Sequence, residues 1–122
     1  MGAIKPAIKW SGSKRSQARL IASIAPPFNK YYEPFVGGAS VAYALEPRDG
    51  TAGDLSKPLI DLWQLILDSP DTAADYYEKH WLKLQADRPD HFYKVRSHFN
   101  ETGDPRAFLF LSRTCVNGLI RF

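Results

Sequence analysis

The sequence predicts an α/β fold in which a short β–α–β–α unit is followed by a run of helices. A glycine pair, Gly37 and Gly38, separates an extended, aromatic-rich stretch at residues 31–36 from a helical pattern that begins at Ala39. From Asp71 onward, apolar residues recur every three or four positions, which is the period of amphipathic helices. We therefore divide the chain into residues 1–68 and residues 69–122.

The predicted elements of residues 1–68 alternate between helix and strand. The predicted strands are residues 31–36 and 51–54, and the helix between them begins at Ala39. Ser56 is a suitable N-cap for the helix that follows the second strand. The first helix is predicted to carry one apolar stripe and to end at Pro26, and the last is predicted to bury four side chains. These positions are Ala18, Ile21 and Ile24 in the first helix and Leu59, Leu62, Trp63 and Ile66 in the last.

Three further helices are predicted in residues 69–122. Asp104 before Pro105 is a typical helix start, and Gly118 is a typical helix end. The apolar positions of the three helices are spaced by three or four residues. They are Ala74, Tyr77, Trp81 and Leu84, then Phe92, Val95 and Phe99, and finally Ala107, Phe108, Leu111 and Cys115.

Composition excludes several classes of protein. The hydrophobic fraction of 44% is sufficient for a packed core, and Cys115 as the single cysteine excludes an intrachain disulfide and a cysteine-rich zinc site. No metal site, signal peptide or membrane span is predicted, so we expect a cytoplasmic protein. The net charge of +3 permits an anionic partner without identifying one.

The glycine pair and the acid after the second strand form a candidate ligand site. Glycines between a strand and a helix allow the backbone to approach a ligand closely, and the helix start then offers unpaired N–H groups. Asp54 follows the next strand, where a carboxylate can accept hydrogen bonds from both hydroxyls of a ribose. The alternatives are an ordinary bend at Gly37 and a helix cap or a solvated acid at Asp54.

Four segments resemble, in order, the motifs of Dam-type adenine-N6 DNA methyltransferases. Residues 33–40 resemble the cofactor motif E-P-F-x-G-x-G-S, with Gly38-Ala39-Ser40 where x-Gly-Ser is usual, so that the second glycine is shifted or replaced. Residues 9–14 resemble the motif K-W-x-G-x-K, and residues 53–60 resemble D-x-N-x-x-L-I with Ser56 in place of asparagine. Residues 113–122 resemble N-R-x-x-x-N-G-L-x-R-Y/F.

The resemblance implies a partial Rossmann-like fold that binds S-adenosyl-L-methionine, followed by a helical DNA-recognition segment. Trp10 would lie beside the sulfonium, Lys14 near the substrate and Glu33 near the ammonium of the cofactor. The alternatives are a core tryptophan, a solvated lysine and a plain carboxylate at the strand end. The implied cofactor-binding residues are Trp10, Lys14, Glu33, Pro34, Phe35, Val36, Gly37, Gly38, Ala39 and Asp54.

For double-stranded DNA, the resemblance implies contacts from Arg113, Asn117, Leu119 and Arg121. Arg113 would hold a phosphate, and Arg121 suits a base edge because its planar fork matches O6 and N7 of guanine. Val116 stands where some members insert an aromatic ring, and valine is a poorer wedge. The alternative for the Asn-Gly pair is a helix C-cap and turn, which is compatible with DNA contact.

The family's Asp-Pro-Pro-Tyr motif, which accepts the amino protons of the target adenine, is not found in the 122 residues. We therefore assign no catalytic residue and expect this chain alone to be inactive. We expect the N-terminal portion of a bacterial or phage adenine-specific methyltransferase, to which a second polypeptide would add the catalytic half. The alternative is a catalytically silent module that binds DNA or cofactor.

Overall fold

A computed structural model describes residues 5–122, which form two compact units that divide between Leu55 and Ser56. The first unit is mixed α/β and the second is helical, so the predicted α/β class is confirmed at this level. The helix at residues 57–68 belongs by packing to the second unit, whereas the functional division at residue 68 stays a prediction. Among the described residues, no helix has both the length and the apolar character needed to span a bilayer.

The first unit contains a two-stranded parallel sheet and two short helices. Its elements are α1 (Ala18–Ile24), β1 (Tyr31–Glu33), α2 (Ser40–Leu45) and β2 (Gly50–Ala52). Tyr31 pairs with Gly50 and Glu33 pairs with Ala52, which confirms two adjacent parallel strands. Each strand is shorter than predicted, and β1 ends before Pro34, which has no N–H to donate to the ladder.

Packing in the first unit covers only part of the apolar stripe predicted for α1. Ala18 is fully buried, while Ile24 at the end of the helix is 74% exposed. The helix ends before Pro26 as predicted, and it packs against α2. Among the described residues of this unit, the large apolar side chains that are buried are Ile8 and Val36.

The second unit is built around one buried helix. Its elements are α3 (Lys57–Asp68), α4 (Pro70–Ala86), α5 (Asp90–Thr102), α6 (Pro105–Thr114) and a 3-10 turn (Val116–Gly118). α3, α4 and α5 all pack against α6, and residues 107–112 are all buried. The inner stripe predicted for α6 is confirmed at Ala107, Phe108 and Leu111, while Cys115 is half-buried. The residues between them are buried as well, because a helix covered on several sides buries consecutive residues rather than one face.

In α3, α4 and α5 the buried residues recur with the predicted helical spacing, but some buried positions differ from those predicted. Leu59 and Leu62 are buried in α3, and Val95 and Phe99 are buried in α5. In α4 the buried positions are Ala73 and Leu84, so the face differs from the predicted one: Ala74 is exposed and Trp81 is 39% exposed. Ser56 occupies the N-cap position of α3, but its side chain makes no capping hydrogen bond.

Asp104 holds the start of the buried helix, as its position before Pro105 predicts. Its carboxylate accepts hydrogen bonds from the Arg106 backbone N–H at 2.9 Å, the Arg106 Nη2 at 2.7 Å and the His98 Nε2 at 3.1 Å. Burial alone would raise the pKa of Asp104, but the hydrogen bonds from Arg106 and His98 together hold it well below its usual value. The ionised carboxylate is thus part of the folded structure.

Replacing Asp104 by alanine should lower the free energy of unfolding by about 2 kcal/mol at neutral pH, because a cap and charged hydrogen bonds are lost together. Because the folded-state pKa is depressed, this stabilisation is present above the unfolded pKa of about 4 and is lost as the pH falls below it. Urea unfolding at neutral and acidic pH measures both effects. Asp75→Ala on the exposed side of α4 is the control, and an equal loss in both variants would contradict the assignment.

Candidate functional site

A cleft in the first unit collects most of the predicted cofactor residues at the carboxyl end of β1. Its volume is about 260 Å³. Pro34 and Ala39 are not among the described residues that line it. The predicted residues that do line it are Trp10, Lys14, Glu33, Phe35, Val36, Gly37, Gly38 and Asp54. Residues from three of the motifs, distant in sequence, are therefore close in space.

Gly37 is at the centre of the cleft wall and packs against the indole ring of Trp10. Its φ of +48° lies in the left-handed region, which favours glycine. A Cβ atom at residue 37 would lie 3.0 Å from Cδ1 of Trp10, closer than ordinary van der Waals contact. Gly38 is less constrained, since a Cβ there would meet its nearest neighbour, Trp10 Cβ, at 3.5 Å. Glycine is thus required at residue 37 by both conformation and space.

Asp54 closes the glycine turn from the other side. Its Oδ2 accepts a hydrogen bond from the Gly37 backbone N–H at 3.1 Å. The Val36 N–H donates to the Gly53 carbonyl at 2.8 Å, so the chain after β1 stays beside the chain after β2. The carboxylate predicted to face a ribose therefore also has a structural role, which sequence reasoning did not identify.

Ala39 occupies a conformation that glycine adopts more easily. Its φ of 57° and ψ of 27° are left-handed, and it is the N-cap residue of α2. For a residue with a side chain this conformation costs about 1–2 kcal/mol. The position matches the second glycine of the Dam-type motif, so that glycine is replaced here and not shifted.

Serines that were not predicted also line the cleft. Ser13 and Ser40 share a hydrogen bond between their hydroxyl oxygens at 2.8 Å, which joins the loop at residues 9–14 to the start of α2. Ser11, Gly12 and Val41 complete this part of the lining. The signal was present in the sequence, because Ser13 lies inside the first motif and Ser40 ends the glycine motif.

Two carboxylates, an indole and a lysine give the cleft its chemistry. Glu33 Oε2 accepts a hydrogen bond from the Tyr31 hydroxyl at 2.8 Å, and burial together with this bond raises the pKa of Tyr31 well above its usual value. Lys14 Nζ donates to the Gly12 carbonyl at 3.2 Å. Acidic acceptors beside an aromatic face suit a ligand that carries both hydroxyls and positive charge.

The four predicted DNA-contacting residues are exposed side chains of the second unit. Arg113 is in the last turn of α6, and its guanidinium carbon lies 5.5 Å from the ring centre of Tyr77. Asn117 has a left-handed φ of 54° and precedes Gly118, so the Asn-Gly pair forms the expected turn. Phe122 packs against Phe99 in a tilted arrangement with ring centres 5.7 Å apart, so the segment after the turn contacts α5.

A groove of about 470 Å³ runs between this segment and α5. Leu119 and Arg121 line it together with Val116, which is 79% exposed. Across the groove, the Arg96 guanidinium lies 4.9 Å from the ring centre of Tyr93. The predicted recognition residues Leu119 and Arg121 thus share one surface with an aromatic and a cationic side chain from α5.

Comparison with known proteins assigns the family. The model of the D12 class of N6 adenine-specific DNA methyltransferases matches residues 10–122, nearly the whole chain. The chain belongs to this family. The predicted resemblance is therefore confirmed, and both the cleft and the groove lie within the matched residues.

Curated relatives of this chain come from bacteria, an archaeon and a phage. A DNA adenine methylase of Serratia marcescens is 32% identical over 94% of the chain and 44% of its own length. A type II methyltransferase of Methanocaldococcus jannaschii, M.MjaIII, is 29% identical over 97% of the chain and 48% of its own length. The DNA N-6-adenine-methyltransferase of Escherichia phage P1 is 26% identical over 93% of the chain and 16% of its own length. The chain thus spans less than half the length of these relatives.

Replacing Ala39 by glycine should raise the free energy of unfolding of this chain by about 1 kcal/mol, because the left-handed conformation then carries no side-chain penalty. Ala44→Gly in α2 is the matched control and should lower it by about 1 kcal/mol. Chemical denaturation of the wild type and the two variants measures these changes in the free energy of unfolding. A loss of stability in both variants would show that Ala39 does not carry the strain.

Proposed function

We propose that this chain binds S-adenosyl-L-methionine through residues 1–68 and contributes to the recognition of double-stranded DNA through residues 69–122. It would form the N-terminal portion of an adenine-specific (N6) DNA methyltransferase with a partial Rossmann-like fold. The observation that carries the proposal is the cleft, where the first motif, the glycine turn and Asp54 come together. The names of the relatives, which include DNA adenine methylases, support the substrate.

The chemistry of the cleft fits the methyl donor. Asp54 would accept hydrogen bonds from the ribose hydroxyls, and Glu33 would face the ammonium group. The Trp10 indole would lie beside the sulfonium, a contact worth up to about 2 kcal/mol when water is excluded. The cleft, at about 260 Å³, is slightly smaller than the roughly 300 Å³ at which small-molecule sites begin, so it would enclose part of the ligand. When bound, this cofactor supplies a methyl group on a positively charged sulfur.

The exposed residues at the end of the second unit would contact DNA. Arg113 would hold a backbone phosphate, and its stacking on Tyr77 favours a preset guanidinium orientation. Asn117, Leu119 and Arg121 would meet base edges in the major groove, where hydrogen-bond patterns distinguish the base pairs. Exposure of Leu119 and Arg121 along one groove supports this role.

Methylation of adenine N6 also requires a flipped base and an acceptor for the amino protons. No Asp-Pro-Pro-Tyr sequence is found among the 122 residues, so we propose that other residues supply this acceptor. They would belong to the same polypeptide or to a second one, in the cytoplasm of a bacterium or a phage-infected cell. The chain by itself would then bind its ligands without transferring a methyl group. The second candidate function, a silent binding module, differs in that adding such a polypeptide would restore no transfer.

Calorimetry with S-adenosylhomocysteine should show binding that Asp54→Ala weakens by about tenfold, the equivalent of about 1.4 kcal/mol. Asp54→Asn is the informative partner variant, because it keeps an acceptor for the Gly37 N–H while removing the charge. Asp49→Ala, outside the cleft, should leave affinity unchanged. Equal affinity in wild type and Asp54→Ala would refute the role of this carboxylate at the cofactor.

Binding of a DNA duplex should be weak and should fall steeply with salt, since phosphate contacts release counterions. Arg113→Ala should weaken binding to all sequences alike, whereas Arg121→Ala should reduce the preference among sequences, by about 1–3 kcal/mol for the contacted base pair. Competition binding with duplexes of varied sequence separates the two effects. If Arg121→Ala left the sequence preference intact, its proposed role at a base edge would be wrong.

A further inference from the structure

A further cavity, whose lining includes none of the predicted DNA-contacting residues, is rich in basic side chains. Its volume is about 370 Å³, and it lies in the second unit where α4, α5 and the start of α6 meet. Its nitrogen-bearing side chains are Lys79, His80, His91, Lys94, His98 and Arg106. None of the described residues that line it is an aspartate or a glutamate. A cavity with this lining favours an anion.

A histidine pair forms the inner wall of this basic cavity. The Nδ1 of His80 and the Nε2 of His91 are 2.9 Å apart, so one ring nitrogen donates and the other accepts. Both rings contact the edge or face of Phe110, and His91 is only 8% exposed. The pair can carry one extra proton and keep its bond: a charged His80 would donate through Nδ1 to His91. The Nε2–H of the charged His80 would then be available to donate to an anion.

The charges around the pair are mostly positive on every helix that packs there. α4 contributes Lys79 and Lys83, α5 contributes Lys94 and His98, and α6 contributes Arg106. Two of the nearby carboxylates already have partners. Asp87 accepts from Lys94 at 2.8 Å, and Asp104 accepts from Arg106 at 2.7 Å. Asp90, in the first turn of α5, adds a negative charge that acts on Lys94.

Burial and the neighbouring positive charges lower the pKa values of both histidines. Burial first, and then the charges of His91, Lys83, Lys79 and His98, lower the pKa of His80 to about 4. The pKa of His91 is also lowered, chiefly by burial. An anion in the cavity would offset the repulsion and allow the pair to take up a proton.

We propose that this cavity binds a phosphate group, held by Lys79 and Lys94, and that the bound anion favours protonation of His80 beside them. Lysine has three N–H donors, so Lys94 can keep its bond to Asp87 and still contact an anion. The phosphate would come from a DNA backbone or from a free phosphate compound. The proposal does not depend on methyl-donor binding or on the roles of Arg113 and Arg121.

Histidine side-chain NMR of the full chain tests the proposal directly. The pH titration of His80 is followed with inorganic phosphate and, separately, with sodium chloride at the same ionic strength. Chloride controls for simple screening of the neighbouring charges. We expect phosphate to raise the pKa of His80 by about one unit more than chloride does, which is a tenfold preference of the anion for the protonated pair. Equal shifts in the two salts would overturn the proposal.

Two lysine variants test whether the phosphate-specific shift in the pKa of His80 arises in this cavity. Lys79→Gln and Lys94→Gln change exposed side chains, and each should abolish most of the phosphate-specific shift while leaving the amide spectrum otherwise unchanged. Lys57→Gln, an exposed lysine of α3 outside the cavity, is the matched control and should keep the shift. A shift that persists in Lys79→Gln and Lys94→Gln would also overturn the proposal.

A short DNA duplex then distinguishes the sources of phosphate. If the duplex shifts His80 more strongly than inorganic phosphate at the same phosphate concentration, the site contacts the DNA backbone. If inorganic phosphate shifts His80 and the duplex does not, the site serves a free phosphate compound. Retention of S-adenosylhomocysteine binding in the lysine variants would keep this test separate from that of the proposed function.

Discussion

The absence of a side chain at residue 37 is the constraint on which the candidate cofactor site depends. Gly37 lies against the Trp10 indole on one side and donates its backbone N–H to Asp54 on the other. A larger residue would push the ring away and would disfavour the left-handed turn. The contact therefore links three motifs, and it explains why a tryptophan, a glycine and an aspartate far apart in sequence belong to one site.

The second unit depends on a different principle, the burial of residues 107–112 of α6. Three helices pack on it, and Asp104 stabilises its first turn. Arg113 in its last turn is exposed, with the guanidinium over the Tyr77 ring, and Phe122 packs against Phe99 in a tilted arrangement. Under the proposed function, exposed side chains held by such packing would need little ordering upon DNA binding.

One departure from the family motif, Ala39, changes the backbone energy of the glycine turn. Ala39 replaces a glycine at a left-handed position, so the chain carries conformational strain at the start of α2. The hydrogen bonds that shape the turn, from Ala39 N–H to the Val36 carbonyl at 2.8 Å and from Gly37 N–H to Asp54, remain in place. The substitution therefore affects stability more directly than it affects the cleft.

The order of elements, the family and most of the cleft could be predicted from the amino-acid sequence. Spacing of apolar residues located the helices, and motif order placed Trp10, Gly37 and Asp54 together, because these signals are local or belong to recognisable motifs. Which faces are covered could be seen only after folding: residues 107–112 of α6 are all buried, Ala73 is buried where Ala74 was predicted, and Asp54 holds the glycine turn. The His80–His91 pair and its basic cavity likewise arise where separate helices meet. Burial and such pairings depend on neighbours distant in sequence, which local periodicity does not encode.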